Sequence, residues 1–350
     1  MPDVAATGLW YTRCPVPNAL SIAIRRGLLD DEFAAEGIPV RSLAASSQPA
    51  AGQAHFAQSH AHLFRHGGNV PPLVAASMGA DVRVIGLSWT DFYEPVLALP
   101  ESGIRSVVDL RGRRLSVPRR TGDTVDFWRP TVLHGYARAL ATVGLGLDDV
   151  ELVDLPIERS MIETPAQVDD HRAAHWDAQA LFGQQRVEAV ALLTGRVDAI
   201  FSHATLAAIV QGITGATAVV DVGASQDRAA RVNNGIPLAL TVTGDLLDAH
   251  PDVVARVLAR VLEAAEWARE HRRAARAIVA EEVGLPVGLL DVAHGPDAVR
   301  QLDVDLAPAR LDGLIAQTEW LARGGFLAGV VDVDALVDAA PLAAAREIRH

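Results

Sequence analysis

The chain contains no lysine, because all 31 of its basic residues are arginines. This absence excludes a lysine Schiff base, lysine-anchored pyridoxal phosphate and the Walker-type phosphate loop, since each needs an ε-amine at a fixed position. The formal net charge of -12 argues against a nucleic-acid partner, because no run of arginines is long enough to offset it locally. An anionic ligand must therefore be held by a placed arginine or by backbone N–H groups.

Cysteine is nearly absent too. The single cysteine, Cys14, excludes an internal disulfide bond and agrees with a reducing compartment. The N-terminal residues lack the basic and apolar regions of a secretory signal, and no stretch of about 18 apolar residues predicts a membrane helix. We therefore expect a cytoplasmic protein that does not bind membranes. The sequence also contains no HExxH, GxSxG or GxGxxG motif.

The length and patterning predict an α/β fold with two lobes. A chain of 350 residues with 50% hydrophobic residues is longer than a single core usually supports. Periodicity predicts helices over residues 17–37, 128–143 and 250–272, and strands over residues 38–43, 82–87, 150–155, 197–201, 218–222 and 239–243. We expect residues 1–112 and 235–350 to form the first lobe and residues 113–234 an inserted second lobe. A ligand should bind in the cleft between them.

Four segments, at residues 17–37, 109–118, 191–200 and 246–251, resemble type II periplasmic binding proteins of the nitrate, sulfonate and thiamine-precursor group. A more specific resemblance lies in three nearby segments: residues 11–20, which include the string CPVPNAL, His55-Phe56, and residues 65–73, which read RHGGNVPPL. These are similar to the active-site segments of the 2'-hydroxybiphenyl-2-sulfinate desulfinase family. The resemblance implies a two-lobed periplasmic-binding-protein-like fold.

The resemblance also implies the roles of individual residues. Cys14 would be essential, His55 would assist it, and Arg65 together with a backbone amide at Gly68 would hold the sulfinate. Thr12 occupies the position of a serine in the family, two residues before the cysteine. The implied reaction releases sulfite from an aromatic sulfinate without a cofactor or a metal, and we expect the protein to be a monomer.

The residue types alone leave each of these roles open. A lone cysteine is by default a small buried hydrophobe, and a lone histidine is either a packed core residue or an acid–base group. Arg65 precedes Gly67 and Gly68, whose N–H groups allow close approach of a two-oxygen anion.

Further candidates lie outside these segments. Trp128 and His203 fall where loops of the second lobe would cap the cleft, so we expect them to contact the substrate. His60, His62 and His66 invite a metal interpretation, but no cysteine or acidic side chain in the same stretch completes a ligand set, so we predict no metal site.

Two mechanisms fit these residues. In one, a Cys14 thiolate attacks sulfur and His55 protonates the departing carbon. In the other, the Cys14 thiol protonates the ring carbon and sulfur dioxide leaves, which we favour because an aryl carbanion is a poor leaving group and a free thiol is mostly protonated at neutral pH. The alternative function, from a different class, is a non-catalytic cytosolic binding protein for a sulfonate-like anion.

Overall fold

The computed structural model describes residues 4–46, 48, 50–160, 170–174, 176 and 178–348. The strands are β1 Leu9–Arg13, β2 Val40–Ser42, β3 Leu63–Gly67, β4 Val82–Ser88, β5 Pro95–Ala98, β6 Arg114–Arg120, β7 Glu151–Ile157, β8 Ile200–Phe201, β9 Thr217–Asp221 and β10 Leu238–Thr243. The helices are α1 Val4–Thr7, α2 Ala19–Arg25, α3 Leu28–Phe33, α4 Ala51–Ala57, α5 Val70–Ser77, α6 Trp128–Ala141, α7 Ala178–Leu193, α8 Ala204–Thr214, α9 Gly244–Ala249, α10 Pro251–Glu270, α11 Arg272–Val283, α12 Leu290–His294, α13 Pro308–Arg323, α14 Val333–Leu336 and α15 Ala340–Ile348.

The largest sheet has the strand order β2-β1-β3-β10-β4. Strand β1 pairs in parallel with β2 and β3, whereas β10 runs antiparallel between β3 and β4. The chain therefore leaves this sheet after β4 and returns to it at β10, as expected for a lobe built from two separate parts of the sequence. Alternation of helices and strands around a largely parallel sheet confirms the predicted α/β class.

The second lobe is built around two smaller sheets. Strand β5 pairs with β8 and β9, and β6 pairs in parallel with β7, while a bridge from Leu115 to Ala199 connects the two sheets. Strand β5 thus joins strands from residues 200–221. The division after residues 112 and 234 stays a prediction.

Helices α6 and α10 begin and end within three residues of their predicted bounds. The predicted helix over residues 17–37 is instead two helices, α2 and α3, because Gly27 adopts a left-handed conformation with φ 73° between them. Asn18 caps α2 by accepting a hydrogen bond from the Ser21 N–H at 2.8 Å. Residues 19–24 of α2 are all buried, and the helix packs against α10 and α11 in the core that also contains Leu9 and Tyr11 of β1.

The carboxyl ends of strands β1 and β3 lie at the same edge of the largest sheet. Cys14 directly follows β1, and Gly68 directly follows β3, which runs parallel to it. Ligands of open α/β sheets bind at this carboxyl edge of the strands. Within the described residues, no helix combines the length and the apolar character needed to cross a membrane.

Candidate active site

Strands β1 and β3 bring Thr12, Cys14 and Arg65 to one face of the sheet. Thr12 and Arg65 are paired residues in the parallel register, and alternate residues of a strand point to the same side, which also places Cys14 there. The Cys14 N–H donates to the His66 carbonyl at 2.9 Å, so the ladder between the strands continues one residue beyond β1. The half-buried thiol is thus held by backbone pairing rather than by a mobile loop.

Helix α4 supplies His55 to the same place. His55 Nε2 lies 3.5 Å from Cys14 Sγ, and the His55 carbonyl accepts a hydrogen bond from Arg65 Nε at 3.0 Å. The helix also contacts the second lobe on either side of His55: Gln53 Nε2 donates to Asp123 Oδ1 at 3.2 Å, and Phe56 stacks on Phe127 with ring centroids 5.5 Å apart. Helix α4, which carries His55, therefore lies against the second lobe.

Arg65 is completely buried, and it has an unusual set of partners. Its Nε and one terminal nitrogen donate to the carbonyls of His55 and Gly68, at 3.0 and 2.8 Å, and its other terminal nitrogen donates to Cys14 Sγ at 3.3 Å. No carboxylate of the described residues pairs with it, and burial lowers the pKa of the guanidinium. A buried cation without an anionic partner is costly, so this site is suited to an incoming anion.

His55 is held neutral by its surroundings. Burial lowers the pKa of His55 well below its usual value of 6.5, and the nearby positive charge of Arg65 lowers it further. On the far side of the ring, His55 Nδ1 lies 2.6 Å from the Thr12 hydroxyl and 3.2 Å from Trp176 Nε1. The family resemblance suggested Thr12, but Trp176 was missed, because nothing in the sequence around residue 176 distinguishes it from an ordinary core tryptophan.

Gly67 and Gly68 permit two close approaches. A Cβ atom on Gly67 would lie 2.2 Å from Cys14 Sγ, and a Cβ atom on Gly68 would lie 2.4 Å from Asn234 Oδ1. Asn234 Oδ1 in turn accepts the Val70 N–H at 3.0 Å, which fixes the start of α5 directly after the glycines. The close approach that each glycine permits is made by a side chain: that of Cys14 at Gly67 and that of Asn234 at Gly68.

Trp128 and His203 lie in the second lobe, in contact with each other. Their ring centroids are 5.0 Å apart, and the Trp128 indole donates to Glu188 Oε1 at 2.9 Å. His203 packs on Phe92, and burial lowers the pKa of His203 to about 4. These hydrogen bonds and ring contacts do not involve Cys14, His55 or Arg65, so substrate contact by Trp128 and His203 stays a prediction.

The histidines that follow His55 have separate surroundings. His60 packs on Trp10, His62 lies 2.9 Å from the Thr7 hydroxyl, and His66 Nε2 lies 3.1 Å from the Ser88 hydroxyl. Among the described residues, no group of three or more histidine, cysteine or acidic side chains is placed to hold a metal ion.

We expect acid to destabilise the fold, because two fully buried histidines resist protonation in the folded state. Burial lowers the pKa of His66 and of His294 to about 3, whereas in an unfolded chain each takes up a proton near pH 6.5. Below pH 6.5 the unfolded state therefore binds more protons, so we expect the free energy of unfolding to fall by about 1.4 kcal/mol per residue between pH 7.5 and 5.5. Urea unfolding at both values of pH measures this loss, and His294→Gln should reduce it. An equal loss of unfolding free energy in wild type and variant would contradict the lowered pKa of His294 in the folded state.

Comparisons with known proteins identify relatives of this chain. No protein-family model matches the sequence. The chain is 31% identical over 313 residues to the 2'-hydroxybiphenyl-2-sulfinate desulfinase of Rhodococcus erythropolis, in an alignment that covers 84% of this chain and 81% of that protein. The desulfinase of Rhodococcus qingshengii gives the same values.

Solved structures also resemble this chain over almost its whole length. The crystal structure of the desulfurization enzyme DszB has a TM-score of 0.76 at 27% identity, and covers 98% of this chain and 99% of its own. A DszB mutant in complex with biphenyl-2-sulfinic acid has a TM-score of 0.75 at 26% identity, with the same coverage. The aliphatic sulphonate binding protein SsuA from Escherichia coli has a TM-score of 0.64 at 17% identity over 95% of this chain and 92% of its own, which shows a common fold alone.

Proposed function

Because this chain belongs to the 2'-hydroxybiphenyl-2-sulfinate desulfinase family, we propose that it hydrolyses the carbon–sulfur bond of an aromatic sulfinate. The net reaction converts the sulfinate anion and one water into the arene and hydrogen sulfite. The observation that carries the proposal is the position of the thiol: Cys14 Sγ lies 3.3 Å from the buried guanidinium of Arg65 and 3.5 Å from the imidazole of His55.

Arg65 is the proposed anchor for the sulfinate. A guanidinium carries five N–H donors, and three are occupied by the His55 carbonyl, the Gly68 carbonyl and Cys14 Sγ. The two that remain lie one on each terminal nitrogen, and they are the proposed donors to the two sulfinate oxygens. The backbone N–H of Gly68, which the family resemblance assigns to sulfinate binding, belongs to the residue whose carbonyl accepts a hydrogen bond from Arg65.

The aromatic ring of the substrate is proposed to lie on the apolar side of the thiol. Cys14 packs against a cluster of buried side chains contributed by both lobes: Val16, Trp89, Phe92, Ala204, Val232, Ile236 and Leu238. An apolar wall beside a cationic anion site matches an aryl sulfinate, which has one apolar and one charged end. His203 precedes Ala204 and packs on Phe92, so it and Trp128 would support this wall from behind.

The proposed mechanism uses Cys14 as the proton donor. The thiol proton adds to the ring carbon that carries sulfur, the electron pair of the carbon–sulfur bond returns to the ring, and neutral sulfur dioxide leaves. Water then converts sulfur dioxide to hydrogen sulfite and releases one proton, which restores the thiol. Loss of the proton leaves a negative charge on the Cys14 sulfur. Arg65 and His55 stabilise this charge, since both lie beside Cys14 Sγ.

The test is release of sulfite from a small panel: 2'-hydroxybiphenyl-2-sulfinate, biphenyl-2-sulfinate, benzenesulfinate and methanesulfinate, with benzenesulfonate as a control that lacks the reactive oxidation state. We expect turnover of at least one aryl sulfinate and none of the sulfonate. The competing function is a binding protein for a sulfonate-like anion. Calorimetric binding of sulfinate and sulfonate alike, without sulfite from any compound, would favour that function and overturn the proposal.

A further inference from the structure

We propose that Trp176 is a positioning residue, whose indole N–H fixes the tautomer of His55 so that the ring presents an N–H group to Cys14. The proposal rests on the desulfinase function for its consequence in catalysis, but not for its structural content. Trp176 lies 121 residues after His55 in sequence. The residue types and contacts on both sides of the imidazole carry the argument.

The contacts of Trp176 are directional. Its Nε1 lies 3.2 Å from His55 Nδ1 and 3.2 Å from the Thr12 hydroxyl oxygen, and an indole nitrogen is only a donor. Its one hydrogen is shared between these two atoms, so Nδ1 acts as an acceptor. The Thr12 hydroxyl, which also accepts from Trp176, is 2.6 Å from Nδ1 and can donate to it. The shared indole N–H and the Thr12 hydroxyl both favour Nδ1 as an acceptor, which leaves the proton of the neutral ring on Nε2.

The protonated nitrogen faces the thiol. His55 Nε2 lies 3.5 Å from Cys14 Sγ, on the side of the ring opposite Trp176. The sulfur then receives one N–H from His55 and one from Arg65, at 3.3 Å. In the other tautomer Nε2 would be an acceptor and would compete with the substrate for the thiol proton. Trp176 thus determines whether His55 supports or opposes proton transfer to the ring.

Trp176 is buried, and its surroundings belong to the first lobe. It is 5% exposed and packs in a cluster with Leu43, Ala44, Ala54 and Leu63, and its ring meets that of His55 edge-on at 5.5 Å. Residues 170–174, directly before it, are tied to the opposite face of β1. The Tyr11 hydroxyl donates to the His171 carbonyl at 2.7 Å, and an Arg13 terminal nitrogen donates to the Arg172 carbonyl at 3.0 Å.

Arg13 and His171, which take part in these contacts, are themselves held by further charged partners. Arg13 forms a buried ion pair with Glu282, through hydrogen bonds of 2.5 and 2.8 Å, and His171 Nε2 lies 2.9 Å from Asp30 Oδ1. Strand β1 therefore binds the Trp176 segment from both faces, with Tyr11 and Arg13 on one and Thr12 on the other. Trp176 is positioned by the strand that leads directly to Cys14.

The test compares Trp176→Phe, which keeps an aromatic ring but removes the N–H, with Trp267→Phe on α10, where the indole packs on Arg26 and His271. Nitrogen-15 NMR of histidine-labelled protein reports the tautomer, and the His55 signal is identified by its loss in His55→Gln. We expect a ring protonated on Nε2 in wild type and in Trp267→Phe. In Trp176→Phe we expect protonation to shift toward Nδ1.

Activity provides the second measurement. We expect kcat of Trp176→Phe to fall about tenfold with KM little changed, since one hydrogen bond to a residue beside the reacting atoms is lost. Unchanged tautomer signals in Trp176→Phe would overturn the proposal, even if activity falls with the melting temperature. If that variant does not fold, Tyr11→Phe replaces it: a shift toward Nδ1 protonation supports the proposal, and an unaltered spectrum overturns it. The NMR result stands even if no sulfinate is turned over, so failure of the proposed function is distinguishable.

Discussion

Replacement of Cys14 by serine is expected to lower the rate of sulfite release to below about a thousandth of the wild-type rate, while the fold is retained. Serine is nearly isosteric with cysteine but is a much weaker acid, so it cannot deliver the proton at a useful rate. The hydroxyl fits the same space against Gly67, where the larger sulfur already leaves no room for a Cβ atom. Steady-state kinetics with the best aryl sulfinate of the panel measure the loss.

The melting temperature and calorimetric binding of the sulfinate are the controls for this variant, and both should stay close to wild type. Retention of a tenth of the activity would contradict a chemical role for the thiol. A covalent adduct on Cys14 found by mass spectrometry during turnover would instead show that the sulfur is a nucleophile. Turnover in deuterium oxide should be slower and should label the ring carbon that carried sulfur, as the proton-donor route requires.

Arg65→Lys is expected to lower kcat/KM by about a hundredfold or more. Lysine keeps the charge but loses the planar fork, and an ammonium cannot reach the His55 carbonyl, the Gly68 carbonyl and the Cys14 sulfur at once. The sulfinate then loses its paired donors, each charge-assisted hydrogen bond contributing about 1.5–3 kcal/mol. Calorimetry in the Cys14→Ser background measures the affinity for the sulfinate separately from catalysis.

Arg83→Lys is the matched control, because Arg83 lies on β4 of the same sheet, is partly exposed, and pairs with Asp81 at the surface. It should bind the sulfinate as tightly as the Cys14→Ser parent does. Since Arg65 also bonds two backbone carbonyls, some loss of stability accompanies its replacement, and the measurements belong at a temperature where both variants are folded. Equal affinity in the two variants would move the anion site elsewhere.

The sequence predicted the centre of this site well and its surroundings poorly. Cys14, His55 and Arg65 were grouped through short strings that resemble one family, and the structure brings the three side chains together as that grouping implied. Their roles stay proposals. Local patterns sufficed for this part, because the strand ends and the glycine pair that place Cys14 and Arg65 lie within a few residues of them.

The missed features depend on contacts between distant parts of the chain. No element was predicted before residue 17, yet β1 carries Thr12 and leads to Cys14. Its side chains are buried on both faces of the sheet, with Arg13 neutralised by Glu282, so the simple alternation of polar and apolar residues is lost. Trp176 gave no signal because its hydrogen bonds are made to residues more than a hundred positions earlier.

Successive side chains of β1 point to opposite faces of the sheet. This alternation of direction matters for protein engineering and for how such a site can change by insertion or deletion. One residue added or removed between Leu9 and Cys14 would turn every following side chain to the opposite face. Thr12 would then point to the anchor side, and Tyr11 or Arg13 into the cleft, so the site and its anchors would be lost together. Residues 9–14 therefore form an indivisible block, which a transplant into another scaffold must move intact with the paired segment of β3.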